Sequence, residues 1–327
     1  MGAGSWGTAF AAMLAERHRE VSLWAYEPEV CETLQRSREN RQYLPGVTIP
    51  DGVRPTNDLA SAVSGKSIVA FAVPSHHLRD IATQAAPRLS REACLVSLAK
   101  GVENGTLRRM TEVLAEVSRE HAPRVAALSG PTFAREVAEG KPTGATVAAA
   151  DPAVARRLQV ALAGSRFRVY ADDDVVGIEI GGALKNVMAI AAGVSDGLGF
   201  GHNARALLIA RGLAEITRLG VHLGAHPQTF AGLSGMGDLV LTCTGDLSRN
   251  RSVGVRVGRG EPVAAVLGGM TMVAEGFRTA RSAVELARRT GVPMPISEQV
   301  YGILHEGKDA GDAVSELFAR ALKREKE

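Results

Sequence analysis

Short apolar runs punctuate the first half of the chain at residues 20–24, 67–73, 93–98, 124–128, 144–149 and 167–170, each of a length and composition that predicts a buried strand. Helix-compatible or loop segments separate them. This alternation predicts an α/β, doubly wound sheet. Beyond Asp172 the strand-like runs stop, and amphipathic or wholly apolar helices are expected from Val175 to the C-terminus. Gly and Pro place breaks near residues 199–201, 224–227, 258–262 and 291–295. At 327 residues the chain exceeds what one core usually serves. Two domains are therefore expected, a sheet-containing one over 1–170 and an all-α one over 171–327.

Composition narrows the choice of partners. Apolar residues make up 45% of the chain, enough for globular cores. The 38 basic and 35 acidic residues nearly cancel and are scattered, which argues against a nucleic-acid surface but is compatible with a small anionic substrate. Cys31, Cys94 and Cys243 lack CxxC spacing, so neither a disulfide framework nor a zinc site is expected, and a reducing cytoplasm fits. Neither His76–His77 nor the His222, His226 pair has a third ligand at suitable spacing, so no metal is expected. No signal peptide opens the sequence, and no window of about twenty residues reads as apolar enough to span a bilayer.

The first chemical motif is Gly2-Ala3-Gly4-Ser5-Trp6-Gly7, a GxGxxG string running into an Ala-rich helix, where a pyrophosphate can meet a helix N-terminus. Glu27 follows about twenty residues beyond the last glycine, the spacing at which a carboxylate holds a ribose 2′-hydroxyl. The fingerprint requires a preceding strand, yet only Met1 precedes Gly2. The expectation is a sheet lacking its first, central strand, with unpaired backbone on its neighbours and an incomplete or misplaced N-terminus. Loops after the later strands should carry ligand contacts. They include Val73-Pro74-Ser75, Lys100-Gly101 and Ser129-Gly130-Pro131-Thr132-Phe133-Ala134. Lys100 fits either an ammonium over the cofactor crevice or a solvated lysine closing a strand.

In the second half, Gly182-Ala183-Leu184-Lys185-Asn186 sets a lysine and an asparagine inside an apolar helix. A lysine there either serves chemistry or snorkels to solvent. Residues 232–251 read GLSGMGDLVLTCTGDLSRNR. Asp238 and Thr242 are four apart and share a helix face, and a carboxylate on so apolar a helix needs a partner. Ser248, Arg249, Asn250 and Arg251 follow a Gly245–Asp246 turn, grouping hydroxyl, guanidinium and amide with a helix N-terminus in a manner suited to phosphate. A solvated basic loop with an N-cap serine is the alternative.

The Gly2–Gly7 fingerprint, Ser97–Gly101, Ser129–Ala134, Gly182–Asn186, the 232–251 segment and Met272-Val273-Ala274-Glu275-Gly276 occur in the order of an NAD(P)-dependent glycerol-3-phosphate dehydrogenase, which the chain resembles over nearly its whole length. The resemblance implies a Rossmann domain followed by a helical domain, and reversible reduction of dihydroxyacetone phosphate to sn-glycerol 3-phosphate for phospholipid synthesis. It implies Lys185 as proton donor and acceptor with Lys100 and Asp238 beside it. Gly130, Thr132, Asn186, Thr242, Ser248, Arg249 and Asn250 would surround the substrate. On the cofactor side it implies Ser5, Trp6, Lys100, Ala134, Arg249, Val273 and Glu275, beside Gly2, Gly4, Gly7 and Glu27 of the fingerprint and Tyr26, whose ring can cover an adenine face. Many bacterial members carry Arg or His where this chain has Tyr26-Glu27, and a carboxylate repels a 2′-phosphate, so the reading leans from NADP towards NAD. A homodimer is a family expectation. The alternatives are another Rossmann-plus-helical dehydrogenase of the β-hydroxyacid or 6-phosphogluconate type, and a dinucleotide-binding fragment without turnover.

Overall fold

The computed structural model describes residues 1–18, 20–119, 124–270, 272, 274–322 and 324–325. Among the described residues of the first half, nine strands form: β1 (Val21–Trp24), β2 (Glu39–Asn40), β3 (Leu44–Thr48), β4 (Val53–Thr56), β5 (Ile68–Phe71), β6 (Cys94–Ser97), β7 (Arg124–Ser129), β8 (Thr143–Ala149) and β9 (Phe167–Asp172). Among them run helices α1 (Ser5–Leu14), α2 (Pro28–Ser37), α3 (Leu59–Val63), α4 (Leu78–Ala85), α5 (Met110–Val117), α6 (Ala134–Ala138) and α7 (Pro152–Leu162). The second half is helical: α8 (Val175–Gly197), α9 (Gly201–His222), α10 (Asp238–Thr244), α11 (Arg249–Gly258), α12 (Val263–Gly268), α13 (Glu275–Thr290), α14 (Pro295–His305) and α15 (Ala310–Phe318).

All six strands expected from apolar runs form, and the sheet is doubly wound with a helical domain after it. Strands β5, β6 and β7 are parallel, β8 is antiparallel to β7, and β9 is parallel to β8. Side-chain alternation sends Cys94 and Val96 into a core with Phe10, Leu128, Val147 and Phe167, and sends Leu95 to the opposite core with Phe71, Leu78, Met110 and Leu114. Both faces are covered, which is why these strands are apolar throughout. Three strands were not anticipated. The short β2 and β3 form an antiparallel hairpin, and β4 pairs in parallel with β1 through Val21↔Val53 to Trp24↔Thr56. Pro45, Gly46 and Pro55 disguise them, and Pro55 is tolerated because β4 is paired with β1 alone.

The sheet divides into the β1–β4 pair and the five strands from β5 to β9. Met1 and Gly2 lie between them. The Met1 amino group donates to Ala70 O (2.9 Å), Ala72 N donates to Met1 O (2.8 Å), and Gly2 N donates to Trp24 O (3.0 Å). The two inner strands are thus partly paired rather than bare, because Met1 offers its backbone groups to the β5 side and Gly2 donates to the end of β1, bridging them at one level.

Helix α8 corrects another expectation. By length and composition it is apolar enough to cross a membrane, and its most hydrophobic window is 89% buried within the protein's own fold. Ile180, Leu184, Val187, Met188 and Ile190 are wrapped by α9, α10, α11 and α13, so this helix is the axle of the second domain.

Candidate active site

The glycine loop is shaped for a phosphate. Gly2 has φ +93°, a conformation a side chain would strain, and a Cβ on Gly7 would stand 1.9 Å from Gly2 O. A Cβ on Gly4 would meet open space, and among the described residues no side chain caps the N-terminus of α1, where Ser5 and Trp6 begin the helix. These free N–H groups and the helix dipole fit the pyrophosphate of a dinucleotide. Trp6 packs its ring on Phe10 and Phe167, leaving Nε1 buried with no partner among the described residues. At the end of β1, Tyr26 is exposed, and Glu27 accepts a hydrogen bond at Oε1 from Tyr43 Oη (2.9 Å). Ala134 opens α6 and packs beside Ala9 and Val47.

Lys100 follows β6, Lys185 lies midway along α8, and Asp238 opens α10, 53 residues beyond Lys185. The fold brings them together around the carboxylate. Lys185 Nζ meets Asp238 Oδ1 at 2.5 Å and Lys100 Nζ meets Asp238 Oδ2 at 2.7 Å. Asp238 is fully buried, and two ammonium groups compensate its charge. Thr242, one turn along α10, gives its hydroxyl proton to Asp238 O (2.6 Å) and accepts from Lys185 Nζ (2.8 Å). The two lysines are not equivalent. Lys100 spends its three N–H groups on Asp238, Gly130 O (2.8 Å) and Thr132 Oγ1 (3.3 Å), whereas Lys185 spends two and keeps one uncommitted among the described residues. Burial, opposed by Asp238 and assisted by the Lys100 charge, pulls Lys185 down to about 8.

Beside this pair the 248–251 string separates into roles that spacing alone left open. Ser248 is the N-cap of α11, its Oγ accepting from Arg251 N (3.2 Å). Arg251 is paired with Asp196 (2.8 Å) and Asp246 (3.0 Å). Arg249 is exposed, and its guanidinium has no hydrogen-bond or ion-pair partner among the described residues. Asn186 and Asn250 face each other: Asn186 Nδ2 donates to Lys100 O (3.1 Å), Asn250 Nδ2 to Asn186 Oδ1 (2.9 Å), and Gly276 N to Asn250 Oδ1 (3.0 Å). Their amides are therefore committed to one another, running from the Lys100 loop to the start of α13. Glu275 accepts from Ser75 N across the crevice (3.2 Å), and burial raises its pKa. Val273 lies outside the described residues.

Other contributors were hidden from sequence reasoning. Ser129 Oγ is buried without a partner among the described residues, and a Cβ on Gly182 would stand 2.5 Å from it. Asn40 is buried and donates to Ala3 O (2.7 Å) and Thr8 Oγ1 (2.8 Å), holding the glycine loop from the β2–β3 hairpin. The one available signal was Asn40 and Tyr43 lying close together in a segment too short to predict as strand.

Comparison with known proteins finds relatives over nearly the whole chain. Family models described as NAD-dependent glycerol-3-phosphate dehydrogenase N-terminus and C-terminus match residues 1–155 and 174–315. A relative from Geobacter sp. (strain M21), named glycerol-3-phosphate dehydrogenase (NAD(P)+), is 56% identical over 99% of this chain and 97% of its own. One of the same name from Myxococcus xanthus (strain DK1622) is 53% identical over 99% of this chain and 97% of its own. The crystal structure of glycerol-3-phosphate dehydrogenase from Coxiella burnetii superposes with a TM-score of 0.93 at 38% identity, covering 98% of this chain and 97% of the other. A ketopantoate reductase from Ralstonia eutropha, 18% identical with a TM-score of 0.61 over 96% of this chain and 98% of its own, shares the fold alone. With both halves matched in order, and the two lysines and Asp238 gathered where the motifs placed them, the chain belongs to the NAD-dependent glycerol-3-phosphate dehydrogenase family.

Proposed function

We propose that this protein catalyses the reversible NAD(P)H-dependent reduction of dihydroxyacetone phosphate to sn-glycerol 3-phosphate, a precursor of glycerophospholipids. The observation that carries this reading is the uncommitted N–H of Lys185 beside an otherwise saturated Lys100–Asp238 pair. The nicotinamide, when bound, supplies or accepts the hydride at the substrate's central carbon. Lys185 Nζ donates a hydrogen bond, then a proton, to the carbonyl oxygen as charge builds there, and takes the proton back in the reverse direction. Asp238 holds that ammonium in place through Oδ1, and Lys100 bears on the same carboxylate through Oδ2.

The phosphate is assigned to Arg249, whose planar fork is free, together with N–H groups at the start of α11. Asn186 and Asn250 are assigned to positioning, since their amides tie the Lys100 loop to α11 and α13. The glycine loop, Ser5, Trp6 and Glu27 would hold the dinucleotide, within a cofactor domain over 1–170 and a helical domain over 171–327. Three buried, free thiols support a cytoplasmic setting. The test is a spectrophotometric assay of purified protein for oxidation of NADH and NADPH that depends on dihydroxyacetone phosphate. Oxidation with either cofactor is expected. Properly folded protein that binds a nicotinamide nucleotide and leaves it unoxidised would overturn the reading.

A further inference from the structure

The β2–β3 hairpin reaches both the glycine loop and Glu27 through two residues three apart in sequence, Asn40 and Tyr43. Asn40, on β2, fixes the glycine loop through Ala3 O and Thr8 Oγ1, and its own Oδ1 accepts from Tyr43 N (3.1 Å). That last bond sets the tight turn Asn40–Tyr43. The turn delivers the Tyr43 hydroxyl to Glu27 Oε1 (2.9 Å), just beyond β1. One short turn therefore couples the loop suited to pyrophosphate with the carboxylate placed for the ribose.

We propose that Tyr43, held by Asn40, positions Glu27 for the 2′-hydroxyl of NAD and thereby sets a preference for NAD over NADP. This rests on the dehydrogenase reading above. With Oε1 occupied by the phenol, Glu27 presents Oε2, which has no partner among the described residues, as the acceptor for a ribose hydroxyl. The holding group is neutral, so the carboxylate keeps its whole charge; an arginine in the same place would cancel it. Burial, then the Glu27 hydrogen bond and charge, push the Tyr43 phenol pKa up, which keeps it a proton donor. Cations of the hairpin are committed elsewhere: Arg41 meets Glu39 (3.3 Å), and Arg38 donates to Pro50 O and Val53 O. A 2′-phosphate would thus approach a fixed carboxylate, with Arg41 paired to Glu39 and Arg38 Nη2 held by the Pro50 and Val53 carbonyls.

The experiment compares wild-type protein, Tyr43→Phe, Glu27→Gln and the double variant, measuring kcat/KM for NADH and NADPH at saturating dihydroxyacetone phosphate. Wild type is expected to prefer NADH. Each single variant should lower the NADH-to-NADPH ratio, by roughly 3- to 10-fold for loss of one hydrogen bond. The double variant should fall no further than Glu27→Gln alone, because Tyr43 acts through Glu27. Preference of wild type for NADPH, an unchanged ratio in Tyr43→Phe, or multiplying effects in the double variant would each overturn the proposal. Fluorescence titration of the same four proteins with NADH and NADPH, without substrate, reads the same ratio independently of turnover. Protein that binds NADH in preference yet turns over neither cofactor would sink the dehydrogenase reading while the titration still decides the role of Tyr43.

Discussion

The uncommitted N–H of Lys185 makes a sharp claim at the scale of single residues. Lys185→Ala should lower kcat by about 10²- to 10⁴-fold, the usual range for loss of a general acid, with nucleotide affinity largely retained. Steady-state rates paired with fluorescence titration check both halves, and retained turnover would remove Lys185 from the chemistry. The pH dependence has a definite sign. Lys185 is protonated below about 8, so ketone reduction, which needs the acid, should decline as pH rises through that value. Oxidation of the alcohol, which needs the neutral amine, should rise over the same range. Profiles moving together in both directions would show that another group controls the rate. Arg249→Ala should raise KM for dihydroxyacetone phosphate roughly 10- to 100-fold, since a charge-assisted contact is worth about 1.5–3 kcal/mol. Arg251→Ala should instead act on stability, because Arg251 is bound to Asp196 and Asp246. If Arg251 governed KM and Arg249 did not, the two assignments would have to be exchanged.

Helix α8 organises the element scale. Asp174 caps it and also accepts from His226 N and Thr229 Oγ1; Glu179 receives Thr111 N and the Arg109 guanidinium from the first domain; Asp196 near its end receives Arg205 and Arg251. Lys185 is therefore carried on a helix anchored along its length. Its closest neighbour is α11, which bears Arg249. A Cβ on Gly254 would lie 2.1 Å from Ile190 O, and one on Gly193 2.1 Å from Arg251 O, so backbone rests on backbone. Gly254→Ala should lower the melting temperature, although alanine adds about 1 kcal/mol of helix propensity, because the clash with an unyielding carbonyl outweighs it. Thermal denaturation followed by circular dichroism measures the balance. A raised melting temperature would show that the helices separate easily and that their contact does not fix Arg249 relative to Lys185.

For the whole molecule, the halves meet through Lys100–Asp238, Ser75–Glu275, Thr111–Glu179 and Ser282 with Val102 and Asn104. One of these contacts, Lys100–Asp238, thus belongs both to the catalytic group and to the packing between the halves. Stability also carries a titration. Glu215, on α9, is buried and accepts from Ile296 N, Ser297 N and Ser297 Oγ at the start of α14; burial raises it to about 7 despite those bonds. The native state then holds a proton that the unfolded state releases, so stability should fall as pH rises from about 4.5 to about 7. The loss should be on the order of 3 kcal/mol and should vanish in Glu215→Gln, which has no proton to lose. Denaturant unfolding of both proteins at pH 5 and pH 8 tests this. A wild-type decline that the variant shares equally would assign it to other groups.

Periodicity sufficed for the apolar strands and the helix breaks because burial on both faces writes continuous apolar runs, and Gly and Pro mark where helices stop. It missed β2, β3 and β4, whose pairing depends on partners distant in sequence and whose prolines disguise them. It drew attention to Lys100, Lys185, Asp238 and Arg249 as residue types out of keeping with their apolar or turn surroundings. It could not rank the two lysines, separate Arg249 from Arg251, or see that Asn186 and Asn250 hold each other, since hydrogen-bond saturation is counted only across space. By itself the sequence determined the fold class, the family and the chemistry available to it, all written in local pattern and motif order. Only the tertiary structure decided which of those groups remain free to act, because a donor is free or spent according to what the packed chain brings within about 3 Å of it.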